Sequence, residues 1–415
     1  MKRKTWSASA GSPWPSSTSV SMKEISTDLA GTMTDALLRK AVSYCHQNGL
    51  SFALWKLPSQ STYTFAASHE PRLIHDINLE DKATGFIFAP FDQGQKKVFL
   101  PADHLFSIDG NQINTLAGNL PELLSAVPRI ERSQKIPYYT RKAGSPSATS
   151  DSQSFKKLVS MCRDAIHSGQ LEKIVPSRSK TIEIPADFDL SSTCLGLGKR
   201  YPSAMVSVFS SPSTGTWLGA TPEMLVRVDA QQHFHTVAVA GTQPFVPGTD
   251  IKQILWTQKE IEEQALVERY VISCFKKIRL REFEEHGPKT VVAGNLVHLK
   301  TEFEVDMVAT RYPQLGSVML QLLHPTSAVC GMPLEPSIAF LKEHEGYERE
   351  FYSGFLGPSN IHNETSLFVN LRCTQLLGDH ALLYAGAGVL ADSDPEKEWL
   401  ETELKMNTLL DVIRR

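Results

Sequence analysis

Between residues 173 and 241 the chain reads as one strand after another, and no other feature of the sequence restricts its fold as much. KIVPSRSKTIEI, AMVSVFSS, TWLGA, EMLVRV and HFHTVAVAG are rich in β-branched residues and alternate in polarity between short turns. Strands in such close succession pair antiparallel, so a large antiparallel sheet is the expected product. Outside this run the period changes from two to that of a helix. SFKKLVSMCRDAIHSG places Phe155, Leu158, Val159, Cys162 and Ile166 at helical spacing and stops at Ser168 and Gly169. Residues 254–285 carry a long amphipathic pattern through Ile261, Leu266, Ile272, Phe275 and Ile278, and 396–413 close the chain with another helix. Sheets with helices packed outside them make an α+β architecture.

From about 32 to 135, mixed segments such as SFALWKLP, TGFIFAPF and KKVFLP alternate with polar turns, which predicts a strand-rich N-terminal part over 26–142. AGSPSATSDSQS predicts a linker or exposed loop over 143–154. The first 21 residues begin basic but continue with Ser, Pro and Gly where a signal peptide needs an apolar stretch. They predict a disordered tail over 1–25, with Met22 as an alternative start. No apolar run approaches the roughly 18 to 20 residues of a membrane span.

Forty-two Lys+Arg against 45 Asp+Glu leave a net charge of -3, without the broad basic footprint that a nucleic-acid backbone requires. The cysteines at 45, 162, 194, 274, 330 and 373 form none of the close pairs that zinc or thiol-redox sites use. They read as buried thiols of a cytoplasmic protein.

Five segments carry residues fit for chemistry. Lys173 in LEKIVPSR has apolar neighbours, so it is either a surface strand lysine or an amine held in a partly desolvated cleft, where an ammonium gives up its proton more readily. Glu223 in WLGATPEMLVRV stands at a junction shaped by Gly219 and Pro222; it is either a solvated turn residue or a desolvated carboxyl able to donate a proton. After AGAG, the last helix carries Glu398, Glu401 and Lys405 on one face, and KEIEEQALV adds Glu260, Glu262 and Glu263. Such acids are surface pairs or oxygen ligands for a hard cation. Gly386 and Gly388 allow close backbone approach to an anion. Arg372, expected in the apolar strand FVNLRCTQ, needs either a substrate carboxylate or a structural glutamate as partner.

Read together and in order, KIVPSR, GATPEMLVRV, AVAGT, KEIEEQALV, LHPTSAVCG, FYSGFLG, LRC and AGAGVLADSDPEKEWLETELK resemble the chorismate-utilising enzymes, over roughly residues 155–412. The resemblance implies two large packed antiparallel sheets with helices outside and the active site in a central cleft, with 155–413 as the chorismate-binding catalytic region. It implies Lys173 as the base that activates water and Glu223 as the acid that protonates the departing hydroxyl. Glu263 and Glu401 match Mg²⁺ ligands, and Glu398 a contact to metal-bound water. Arg372 matches the clamp on the enolpyruvyl carboxylate, while Gly241, Thr242, Ala328, Gly386 and Lys405 match other substrate contacts. Ser327 stands where proline is more common, and Gln264 replaces a frequent histidine or asparagine.

Aminating relatives usually carry glutamine at the lysine position, so Lys173 points to the water-using, isochorismate-forming branch. The implied reaction is the reversible conversion of chorismate to isochorismate, feeding menaquinone or siderophore synthesis. Salicylate synthase, which goes on to eliminate pyruvate, is the nearest alternative, and a noncatalytic binding subunit a remote one. Chorismate is the implied partner, with no nucleic acid, membrane or glutaminase subunit. Monomer and weak dimer both remain open.

Overall fold

The computed structural model describes residues 33–131, 134–141, 151–246, 248–293 and 296–414. The alternating segments do form strands, namely Ser177–Glu183, Met205–Ser211, Gly215–Thr221, Met224–Val228 and His233–Pro244. They are divided between two nine-stranded antiparallel sheets instead of making one. Gly215–Thr221 pairs with Met205–Ser211 and Cys373–Leu376 in the first sheet, whereas Met224–Val228 pairs with His233–Pro244 and Thr365–Val369 in the second. The chain therefore crosses between the sheets at Pro222 and Glu223, and crosses back between Val369 and Cys373.

These two crossings lie side by side. The amide of Val369 donates to the carbonyl of Glu223 at 2.9 Å, and that of Ala220 to the carbonyl of Arg372 at 3.0 Å. Arg372 is consequently not inside a strand as its apolar neighbours predict. It sits at the kink of the return crossing with φ +46°, a left-handed conformation that aims its side chain between the sheets.

The N-terminal strands are woven into both layers. Ser51–Lys56 and Tyr63–Ser68 belong to the first sheet, Gly85–Ala89 and Lys97–Pro101 to the second. Outside the first sheet, helices Met33–Gln47, Leu190–Arg200 and Pro395–Ile413 bury Leu38, Leu197 and Leu409 against Phe52, Phe65 and Val206. Outside the second, Gln258–Lys277 and Leu315–Leu323 bury Val267, Phe275 and Met319 against Phe234, Phe303 and Leu367. Between the sheets, Trp55, Phe209 and Trp217 face Phe86, Phe88 and Phe368. Each such side chain contributes roughly 1.5 to 3 kcal/mol on burial, so this aromatic layer fixes the spacing of the sheets and the shape of any cleft between them.

Two helix boundaries differ from the sequence pattern. Asp151 caps the helix Ser152–His167 by accepting from the Ser154 amide at 2.8 Å, so Ser152 to Ser154 belong to that helix instead of the expected exposed connection. Residues 143–150 of that connection, and the tail 1–25, lie outside the described residues. The helix beginning at Gln258 opens with a capping box between Thr257 and Glu260 and ends at Lys277, because Arg279 turns left-handed (φ +60°) before a strand starts at Glu284. Ile261 is 48% exposed and lies off the buried face, which runs through Leu266, Val267, Tyr270, Val271, Cys274 and Phe275.

All six cysteines are free and buried. Among the described residues no helix is long and apolar enough to cross a membrane.

Candidate active site

The two sheets enclose a cavity of about 700 Å³, counting its mouth. The first sheet supplies Ala385 and Gly386, the second Val239, Ala240, Gly241, Thr242 and His298, and the two crossings supply Glu223 and Arg372. Glu263 and Lys405 enter from the helices outside, and Ala328 from the loop before Gly331.

Lys173 lies in a two-residue strand, Lys173–Ile174, paired with Gly331–Met332. Its side chain is fully buried, with Nζ 3.0 Å from Glu263 Oε1, so it is not the solvated surface lysine that its sequence equally permitted. Glu263 alone of the three glutamates in its run faces the cavity. Glu260 is used in the capping box, and Glu262 accepts from Gln258 on the exposed side. Burial by itself would raise the Glu263 pKa, but the charge and hydrogen bond of Lys173, together with the charges of Lys259 and Lys405, outweigh it and hold the carboxyl below its ordinary range. Gly388 makes this pair possible, since a Cβ there would fall 2.2 Å from Glu263 Oε1. Its role is thus to leave room for an acid side chain, where the sequence suggested an amide approaching an anion.

Glu223 is placed by backbone on both sides: its carbonyl holds Val369 and its amide faces Thr221 Oγ1 at 3.3 Å. Burial pushes its carboxyl up to about 7, against the opposing pull of Lys173, Lys405 and Arg372. A carboxyl that keeps its proton near neutrality beside several cations is suited to protonate a leaving oxygen.

The cations gather on the side where a dianionic ligand would be recognised. Arg372 is only 9% exposed and donates to Thr408 Oγ1 at 3.2 Å. Burial lowers its pKa, opposed chiefly by Glu401. Lys405 bridges the Gly386 carbonyl at 2.9 Å and Glu401 at 2.7 Å. Gly241, at φ +62°, bends the end of its strand around the cavity, where a Cβ would meet Glu260 Cβ at 3.2 Å.

Glu263 at the cavity, and Glu398 and Glu401 on the last helix, offer the kind of oxygen donors that a hard divalent cation prefers. Glu398 is 1% exposed, and its Oε2 has no hydrogen-bond partner among the described residues. Burial first, and then the Glu401 charge, push Glu398 up to about 7 even though Lys259 pairs with it. A buried carboxylate oxygen left unpaired beside a second carboxylate fits a site completed by a hard cation.

Three contributors escape the sequence reading. His298, in LVHLK, is buried and donates through Nδ1 to the Gly241 carbonyl at 2.9 Å, while Nε2 has no partner among the described residues; burial pulls its pKa down to about 3, so it is neutral and offers an acceptor at the cavity. A lone histidine in an apolar strand was its only signal. Tyr352 and Tyr384 line the cavity as a stacked pair with ring centres 5.1 Å apart. Arg349 and Glu345 pair within the interior: Arg349 donates to the carbonyls of Val329 and Val175, and Glu345 accepts from the Ser177 amide. That pair ties the segment following Lys173 to the loop bearing Ala328. Gln264 points away from the acids, into the helix–sheet interface, where it donates to the Ala238 carbonyl at 3.2 Å. Ser327 is fully buried, with its hydroxyl unpartnered among the described residues.

A model of the family described as chorismate binding enzyme matches residues 91–414. Isochorismate synthase EntC of Escherichia coli (strain K12) is 28% identical over 300 residues, covering 70% of this chain and 73% of that one. The fold is that of MenF, the menaquinone-specific isochorismate synthase from Escherichia coli, with TM-score 0.71 at 20% identity over 90% of this chain and 91% of that one. Anthranilate synthase component I from Streptococcus pneumoniae TIGR4 shares it too, with TM-score 0.64 at 16% identity over 86% and 89%.

Proposed function

The chain belongs to the chorismate binding enzyme family, and we propose that within it the protein is an isochorismate synthase that adds water at C2 of chorismate as the C4 hydroxyl departs. The observation that carries this reading is a cavity lined by the buried carboxyl of Glu223, whose pKa is pushed up to about 7, and by Glu263, which pairs at 3.0 Å with the fully buried Lys173. The relative EntC, named as an isochorismate synthase, supports it from outside.

In the proposed reaction Lys173 takes a proton from water; Glu223 delivers its proton to the departing hydroxyl while the ring double bonds shift. Both groups exchange roles in reverse, since substrate and product are isomers. Arg372 holds one substrate carboxylate as a planar donor fork, and Lys405, Thr242 and the backbone at Gly241, Ala328 and Gly386 contact the rest. Glu263 and Glu401, with Glu398 beside them, would hold Mg²⁺, which neutralises the ring carboxylate. Because water is the nucleophile, no glutaminase subunit is needed. We place the enzyme in the cytoplasm, where its six free thiols stay reduced.

The deciding experiment incubates purified protein with chorismate and Mg²⁺ in ¹⁸O-labelled water containing an ammonium salt, and identifies products by chromatography and mass spectrometry. Isochorismate labelled at C2 is expected. Anthranilate, or salicylate with pyruvate as the main product, would overturn the assignment.

A further inference from the structure

A second cluster of ligand-type side chains lies outside the cavity. Asp229, His233 and His235 each offer an atom within 4.8 Å of the others' atoms. They surround the hairpin between the strands Met224–Val228 and His233–Pro244, and the i, i+2 spacing of the histidines puts both rings on one face of the strand. Glu304 comes from the neighbouring strand, in direct register with His235. We propose that Asp229, His233 and His235, with Glu304 as the adjoining fourth group, form a binding site for a borderline transition-metal ion of the Zn²⁺ class, separate from the all-oxygen site in the cleft.

The geometry is prepared at the carboxylate. Asp229 Oδ1 accepts from the Gln231 amide at 3.0 Å and the His233 amide at 2.8 Å, which fixes the side chain and turns Oδ2 toward the rings. His235 Nε2 lies 3.1 Å from that Oδ2, and His233 Nδ1 lies 3.1 Å from Glu304 Oε1. The second nitrogen of His235 is 3.7 Å from the other oxygen of Glu304. Around a tetrahedral zinc, with bonds of roughly 2.0 to 2.2 Å, donor atoms stand about 3.4 Å apart. Closing the cluster on an ion therefore needs about 1 Å of side-chain adjustment at partly exposed rings.

The donor types set the choice of metal. Two imidazoles with one or two carboxylates suit Zn²⁺, Ni²⁺, Co²⁺ or Cu²⁺, whereas Mg²⁺ prefers the oxygen donors of the cleft. The position is also informative, because the strand carrying both histidines runs on to Gly241 and Thr242 at the cavity, and the strand of Glu304 carries His298. With Glu304 as a further ligand, a metal here would cross-link the two strands that form one wall of the active site.

The test titrates full-length protein with Zn²⁺ alone, in excess Mg²⁺, using a competing chromophoric chelator and metal analysis after dialysis. The same titration on Glu263→Gln/Glu401→Gln removes binding in the cleft from the count. One equivalent of Zn²⁺ should be retained in both proteins, with a rise in thermal midpoint. His233→Ala/His235→Ala should weaken the affinity by at least about 100-fold and Asp229→Asn by about tenfold or more, with the rise abolished. Circular dichroism without metal reports folding, and His235→Gln alone serves as the milder variant. Zn²⁺ retained equally by the histidine variants, or not retained by the unaltered protein at micromolar free ion, would overturn the proposal.

Discussion

Glu223→Gln should yield an enzyme that is less active yet more stable at alkaline pH. Glu223 is 8% exposed, and burial pushes its pKa from 4.5 up to about 7. The sign follows from linkage. A carboxyl whose folded pKa is raised adds stability that is fully present below its unfolded value and is lost as pH rises through the folded one. At 1.36 kcal/mol per unit, 2.5 units amount to about 3 kcal/mol, lost mostly between pH 5 and 7.5. Glutamine keeps the shape and stays neutral, so the variant avoids this loss. The stability difference should widen in its favour by about 2 to 3 kcal/mol between pH 5 and pH 8.5, measured by denaturant unfolding without substrate or metal. Turnover should fall by about 10² to 10⁴, because an amide is an ineffective proton donor. In the unaltered enzyme kcat/KM should decline as pH rises through about 7, as the acid form disappears. A stability difference independent of pH, or a variant less stable than its parent at pH 8.5, would refute the claim that the site forces Glu223 to keep its proton.

Other outcomes follow from the same geometry. Lys173→Ala should lower kcat by about 10² or more with a smaller change in KM, as steady-state kinetics will show; near-normal isochorismate formation would remove lysine as the base. Glu401→Ala and Glu263→Ala should each abolish Mg²⁺-supported turnover while leaving the circular dichroism spectrum unchanged, and full activity of the unaltered enzyme in excess chelator would refute the metal assignment. Arg372→Gly and Arg372→Ala should both lose substrate affinity, but glycine should be the more stable of the two by about 1 kcal/mol, since alanine must keep the left-handed φ of +46°. Equilibrium unfolding of the pair checks this, and a more stable alanine variant would show that the kink relaxes.

Much of the secondary structure was legible because alternation and helical periodicity are local. The five strand segments after Lys173 and the three helical patterns all have counterparts. Which sheet a strand joins was not legible, since alternation only requires one apolar face and both sheets offer one. Burial of charge was not legible either. Arg349 and Glu345 have the i, i+4 spacing of a surface pair, but their side chains are 2% and 3% exposed. Only the tertiary fold, which brings the carbonyls of Val175 and Val329 to the guanidinium, makes that burial tolerable.

Glu223, which the sequence placed at a junction, and Arg372, which the strand pattern misplaced, share one physical property: they sit where the chain leaves one sheet for the other. Within a strand, each side chain must face either a helix layer or the aromatic layer between the sheets, and a charge on either face carries a desolvation cost. At a crossing neither requirement applies. Glu223 and Arg372 occupy adjacent crossings, joined by the bonds from Val369 to Glu223 and from Ala220 to Arg372. Displacing one crossing therefore moves both groups, so their mutual geometry is held by backbone more than by side-chain contacts. A site assembled in this way can keep Glu223 and Arg372 in register while helices outside the sheets vary.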